Sequence, residues 1–203
     1  MAQRMQACTV CHGKEGVASN QGYFPRIAGK PAGYLYQQLN NFRDKRRNNV
    51  TMSFLLENMS DAYLLEIAQY FSTLDLPYPP AQTSDAPKSL LAKGEQLVML
   101  GDAERGLPAC SDCHGLAMTG RLPATPGLLG LPRDYVIAQI GGWKTGARRA
   151  AAPDCMGQVA KLLSPDDVYA VSNWLSSQTV PANSHPAPAS SKTTSISCKG
   201  AKP

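Results

Sequence analysis

The chain has 203 residues, 43% of them hydrophobic and 17% charged, with a formal charge of +5. That is enough apolar material for one medium domain or two small ones, and too much for bulk disorder. No apolar run is long enough to span a bilayer, and the basic residues cluster only at 45–47 and 148–149 with no stacking aromatics between them, which argues against a nucleic-acid partner and for a mildly basic face that meets an acidic protein.

The first residues, MAQRMQA, have no apolar h-region. If the protein is exported, the expectation is that its leader has been removed. CTVCHG follows at 8–13. A zinc ribbon needs a second CxxC fifteen to twenty residues on, and here the next lies about a hundred away. A thioredoxin-type pair needs a βαβ context, and no strand-like alternation surrounds the motif. Covalent haem attachment needs two thiols for the vinyl groups and an adjacent histidine for the iron. Cys8 and Cys11 are therefore the expected thioether anchors, and His12 the expected proximal ligand.

FPRIAGKPAGYLYQQL at 24–39 opens a helix. Tyr34, Leu35, Gln38, Leu39 and Phe42 recur on one face. Pro25 is a candidate to accept the second N–H of the proximal histidine through its carbonyl; the alternative is a plain turn proline. Arg47 is a candidate for a haem propionate; the alternative is a solvated surface arginine. Ser60 is a candidate N-cap, with Leu64, Ile67, Ala68 and Phe71 as the inner stripe of the next helix. LPYPPAQTSDAPKS at 76–89 holds four prolines and cannot continue a helix. The reading is a first unit over 1–76, a proline-rich linker over 77–88, a second unit over 89–180 and a Pro/Ser-rich tail over 181–203.

SLLAKGEQLVMLGD at 89–102 reads as the opening helix of the second unit. The first unit has only a few residues before Cys8, so its own opening helix is expected to be short or to have been removed. CSDCHG at 110–115 then repeats the motif, giving Cys110, Cys113 and His114 the same roles. TPGLLGLPRDYVIAQI at 125–140 aligns without gaps on 24–39: Pro25 with Pro126, Gly29 with Gly130, Pro31 with Pro132, Tyr34 with Tyr135, Gln38 with Gln139. Phe42 then falls opposite Trp143, and Arg47 opposite Arg148. Pro126 and Arg148 inherit the candidate roles of Pro25 and Arg47. The last helix has Ser164 as cap, Pro165 at its first position, Asp166 and Asp167 in its first turn, and Val168, Val171 and Leu175 inside. The chain holds two copies of one haem-binding unit.

Counting narrows the sixth ligand. The three histidines are His12, His114 and His185, so bis-histidine ligation of both haems is impossible within one chain. Met52 precedes the Met59–Ser60 pair by seven residues, and Met156 precedes Leu163–Ser164 by the same interval. No other methionine pair obeys the repeat. Met59 is the rival of Met52, but it aligns with Leu163 and reads as core. A thioether is soft and neutral, raises the potential relative to a second imidazole, and closes the iron to substrates.

The duplicated CxxCHG, the P-x-[IL]-[AL]-G-x-P-x-x-Y-x-x-x-Q-[IL] segment and the methionine seven residues before a Ser-capped last helix resemble the two-haem class I cytochromes c, in particular the cytochrome c4 family. The resemblance covers roughly residues 2 to 180. It implies an all-α fold of two tandem class I cytochrome c domains related by internal duplication and a pseudo-twofold axis, with two covalent haems c close enough to exchange electrons. It implies a periplasmic electron carrier, not an enzyme. Its partners are redox proteins: a dehydrogenase or quinol-oxidising complex as donor, a terminal oxidase or small cytochrome as acceptor. Peripheral association with a membrane is compatible with it. Two other readings stay open at this point. One is the electron-accepting subunit of a dehydrogenase, for thiosulfate or an alcohol. The other, a dihaem enzyme, needs an exchangeable iron. Two features depart from the pattern: the short start of the first unit and the tail.

Cys155 and Cys198 remain. Haem c is attached in an oxidising compartment, where free thiols are uncommon. A Cys155–Cys198 disulfide is the first expectation. A Cys155 thiolate on iron in place of Met156, or two unrelated thiols, are the alternatives.

Overall fold

The computed structural model describes residues 2–18, 24–189, 196 and 198. Most of the tail from 190 onward lies outside the described residues. Short helices separated by proline and glycine turns carry nearly all the regular structure. In the first unit a 3-10 turn over Ala2–Met5 runs into α1 (Gln6–His12), then α2 (Ala32–Arg43), α3 (Val50–Leu56) and α4 (Asp61–Ser72) follow. Pro31 sets the start of α2. The Asn49 side chain caps α3 by accepting from the Met52 N–H at 2.9 Å, and Ser60 caps α4 by accepting from the Tyr63 N–H at 3.3 Å. The inner stripe of α4, Leu64, Ile67, Ala68 and Phe71, is buried with Met5, Leu35 and Leu56. Leu64 is fully enclosed. Truncating it to alanine costs about 2–5 kcal/mol.

The second unit has α5 (Lys88–Met99), α6 (Cys110–His114), α7 (Arg133–Thr145), α8 (Cys155–Leu162) and α9 (Pro165–Ser177). Between α6 and α7 a hairpin pairs β1 (Gly120–Arg121) with β2 (Thr125–Pro126), antiparallel. The sequence gives no alternation for such short strands, so the all-helical expectation holds with this one addition. α9 has the strongest local start signal. Pro165 takes its first position, Ser164 accepts from the Asp167 N–H, and the Asp167 carboxylate accepts from the Ser164 N–H. α5 lies across α9 so closely at Gly94 that a Cβ there would run into the Ala170 carbonyl. Val98 and Leu97 from α5 meet Val168, Val171 and Leu175 from α9 in the second core.

The proline-rich stretch after α4 forms no helix, yet it is tied to both units. Arg26 donates to the carbonyls of Leu76 (2.5 Å) and Pro77 (2.8 Å) and stacks on Tyr78. Further on, the Gln82 N–H donates to Ser176 O at 2.9 Å and its side chain accepts from the Arg133 N–H at 2.8 Å. The two units also meet directly. Asn48 N–H donates to Ala147 O (2.8 Å) and Arg149 N–H to Arg46 O (2.7 Å), a two-way backbone bridge between equivalent places of the repeat. Ala187 of the tail pairs with β1 through Gly120 and Leu122.

Candidate functional site

Each CxxCH motif forms one short helix, which brings its two cysteines and its histidine to one end of a unit. Gly13 and Gly115 follow the histidines with φ of +76° and +83°. A side chain is strained there, which explains the glycine after each motif. The turn sends the chain back beneath the histidine. The Nδ1–H of His12 donates to Pro25 O at 2.8 Å, and that of His114 to Pro126 O at 2.7 Å. A carbonyl can only accept, so Nδ1 carries a proton, and in the neutral ring the lone pair is left on Nε2. Burial pushes both imidazoles below the ordinary histidine range, against the opposing pull of the proline carbonyls; Arg47 adds to the lowering at His12 and Lys30 at His114. Burial thus favours the neutral form of both rings, the form that can ligate iron. Burial also pushes the Cys8 thiol up, and that of Cys110 up to about 12. None of the four motif cysteines is in a disulfide.

Met52 lies on the inward side of α3, packed at the edge of the first core. Met156 is the second residue of α8 and is half-buried. Met59 packs on the first core with its neighbours, and Met5 and Met118 are enclosed in the cores. Cys155 and Cys198 are joined in a disulfide, Cα–Cα 4.8 Å. With its sulfur so engaged, Cys155 is no iron ligand in this structure.

Arg47 and Arg148 are buried, which removes the solvated-surface alternative. They face one another across the boundary between the units. Arg47 donates to Gln38 Oε1 (3.0 Å) of its own unit and to Gln139 Oε1 (2.5 Å) of the other. Arg148 does the converse, to Gln139 (2.8 Å) and to Gln38 (3.1 Å). Each guanidinium lies over an aromatic ring, Phe42 at 4.5 Å and Trp143 at 3.8 Å. Tyr34 is beside them: burial alone would raise its hydroxyl, but Arg148 and Arg47 bring it below the ordinary tyrosine range. No carboxylate is among the hydrogen-bond partners of either arginine in the described residues. The Trp143 Nε1–H is buried without a protein partner. Buried cations and an open indole donor at one boundary are the donor set that carboxylate groups of a porphyrin would satisfy. With neutral imidazoles and paired thiols as well, the residues fit haem c at both sites.

Comparison with known proteins agrees. No protein-family model matches the chain. It is 37% identical over 172 residues to the thiosulfate dehydrogenase electron acceptor of Thiomonas intermedia, covering 85% of this chain and 78% of that one. It is 33% identical to cytochrome c4 of Pseudomonas aeruginosa, over 83% of this chain and 82% of that one. The chain belongs to the cytochrome c4 family. The crystal structure of reduced cytochrome c4 from Pseudomonas stutzeri superposes with a TM-score of 0.74 at 28% identity, over 88% of this chain and 96% of that one.

As in cytochrome c4, the fold is two tandem class I cytochrome c domains. The chain carries two covalently attached haems c, and it is an electron carrier rather than an enzyme. Its partners are redox proteins. No helix among the described residues is long and apolar enough to cross a membrane. Sequence reasoning gave Gln38 and Gln139 no role, although their exact repetition on an otherwise apolar face was the available signal. It also passed over Arg26 and Lys30, buried cations of the first unit alone.

Proposed function

We propose that the chain is a periplasmic carrier that takes single electrons from a dehydrogenase and hands them to a terminal oxidase or a smaller cytochrome. Cys8 and Cys11, and Cys110 and Cys113, hold the haems; His12 with Met52, and His114 with Met156, hold the irons. Iron cycles between ferrous and ferric forms when the haem is bound. The protein's part is to keep the coordination fixed so that little reorganises. The Pro25 and Pro126 carbonyls anchor each imidazole at the atom that is not a ligand. Arg47 and Arg148 would offset the charge of haem propionates, and the Trp143 N–H would donate a hydrogen bond to one. The domain limits we assign are 1–76 and 89–180, with 77–88 between and the tail over 181–203.

The observation that carries this reading is the equality of the two His–Pro contacts, 2.8 and 2.7 Å, in two copies of one unit. A dehydrogenase donor is favoured by the relatives named as thiosulfate dehydrogenase electron acceptors. Visible spectra recorded through a redox titration test the assignment. Two one-electron steps are expected, and the oxidised protein shows a thioether-to-iron charge-transfer band of twice the intensity of a one-haem cytochrome. A single such band equivalent, with one high-spin iron, points instead to a dihaem enzyme with an exchangeable site.

A further inference from the structure

The duplication supplies an internal control for every surface position. α3 and α8 are the same helix in two copies, in register through Met52 and Met156. Their inner positions agree: Leu56 and Ala160 are both buried, and Leu55 and Val159 are both half-buried. Their outer positions do not. Val50 stands where the second unit has Asp154, and Phe54 where it has Gln158. Val50 is 89% exposed and Phe54 76%. With about 100° of rotation per residue, Phe54 and Val50 each point some 160° away from Met52. They face away from the haem pocket, so neither haem nor core explains them. Since the copy with polar residues here folds the same way, the apolar pair is not a requirement of the fold.

The exposed charges flanking this face are mainly basic. Lys45 is exposed just before α3. Arg149 is exposed and is tied to Arg46 by a backbone hydrogen bond of 2.7 Å. Asp44 is already paired with Arg43 and Arg46, and Asp61 with Arg43. Neither Lys45 nor Arg149 has a carboxylate partner within 4.0 Å among the described residues. Glu57, at the far end of the same face, is the one carboxylate on it.

We propose that the outer face of α3, Val50 and Phe54 with Lys45 and Arg149 at its edge, is a docking surface for a redox protein whose contact patch is apolar and fringed with carboxylates. The apolar centre excludes water and the basic rim steers the approach. A small contact of this kind suits a partner that must leave after each electron. The equivalent stretch of the second unit has no apolar centre: Asp154 is half-buried and caps α8 by accepting from the Gly157 N–H at 3.0 Å, and Gln158 and Lys161 are polar. Partners therefore dock asymmetrically on a symmetric fold.

The proposal rests on the electron-carrying role, and the test separates the two. An acidic blue copper protein, an apolar patch beside carboxylates, serves as probe. Its cadmium-substituted form reports binding alone, by line broadening in a titration with the oxidised holoprotein. Its copper form reports second-order electron transfer. The Val50→Ser, Phe54→Ser variant is expected to bind at least tenfold more weakly, and Gln158→Ser within twofold of the parent. Lys45→Gln with Arg149→Gln is expected to lower the association rate about tenfold at low salt and to flatten its salt dependence. Reduction by a small uncharged reductant should stay unchanged in all variants; its loss condemns the carrier reading or the variant's fold instead. Unaltered binding in the Val50, Phe54 variant, or equal weakening in Gln158→Ser, overturns the proposal. So does a parent protein that sediments as a dimer while the Val50, Phe54 variant is a monomer, since the occupant is then a second copy.

Discussion

At the scale of residues, the site was legible where covalent chemistry dictates spacing. Two thiols and a histidine must stand at fixed offsets to meet one porphyrin, so Cys8, Cys11 and His12 stand out as candidates, and the second copy repeats the pattern. Pro25 and Pro126 were readable because equal places in a repeat serve equal purposes. Gln38 and Gln139 were not, because beside the arginine of its own unit each meets that of the other, 110 and 92 residues away, and only the folded chain brings these together. The methionines carry the residue-scale prediction. Met52→Ala and Met156→Ala each remove one thioether, and the ferric state loses its disadvantage. The potential of the altered haem should fall by a sizeable part of the roughly 0.8 V that axial ligands span, while the other haem moves much less. A potentiometric titration with optical detection shows which haem has shifted. Met59→Ala, by contrast, should lower stability and leave both potentials near their original values.

At the scale of elements, the long helices could be read from their caps and stripes. Ser60, Ser164 and Pro165 all occupy the cap and first-turn positions expected of them. The short helices α3 and α8 and the hairpin were not read, since seven, eight and two residues are too few for periodicity to show. Asp167 has a role beyond its place in the first turn. It is 2% exposed and accepts from Arg105 at 2.7 Å, Lys93 at 2.8 Å and the Ser164 N–H at 2.9 Å. Burial would raise its carboxyl, but Lys93, Arg105 and the Ser164 contacts hold it well below the usual carboxylate range. A carboxylate depressed in the folded state stabilises fully above the unfolded value, about 3.9. That stability is lost as pH falls through and below it. Asp167→Asn should therefore lower stability by about 2 kcal/mol at neutral pH and flatten the decline between about pH 5 and 3. Thermal melts of the parent and the variant across that window check it. Parallel declines would remove Asp167 from the account.

At the scale of the whole molecule, duplication was visible in the sequence, but the boundary between the copies was not. Arg47 and Arg148 sit at matching places, and a symmetry axis brings matching places face to face, so each meets the glutamine of both units. That arithmetic is a property of the assembled pair and has no signature in either copy alone. The tail is the feature without a symmetry mate. It leaves α9, meets Asp75 through His185 at 3.4 Å, pairs with β1 at Ala187, and ends in the disulfide beside Met156. The His185–Asp75 contact adds little, because both side chains are exposed. The covalent link is the strong tie. Closing a loop of 43 residues is worth about 4 kcal/mol if the whole loop orders with the core. Among the described residues the tail meets the second unit through the Ala187 hydrogen bonds and the disulfide, so much of that entropy is not recovered by the core. Cys198→Ser should make the tail a fast target for limited proteolysis and lower the unfolding free energy of the second unit by well under 4 kcal/mol. Denaturant melts followed at the second haem measure it. A loss near the full value would mean that the tail folds as part of the domain, and that the lower face of α8 depends on it for its shape.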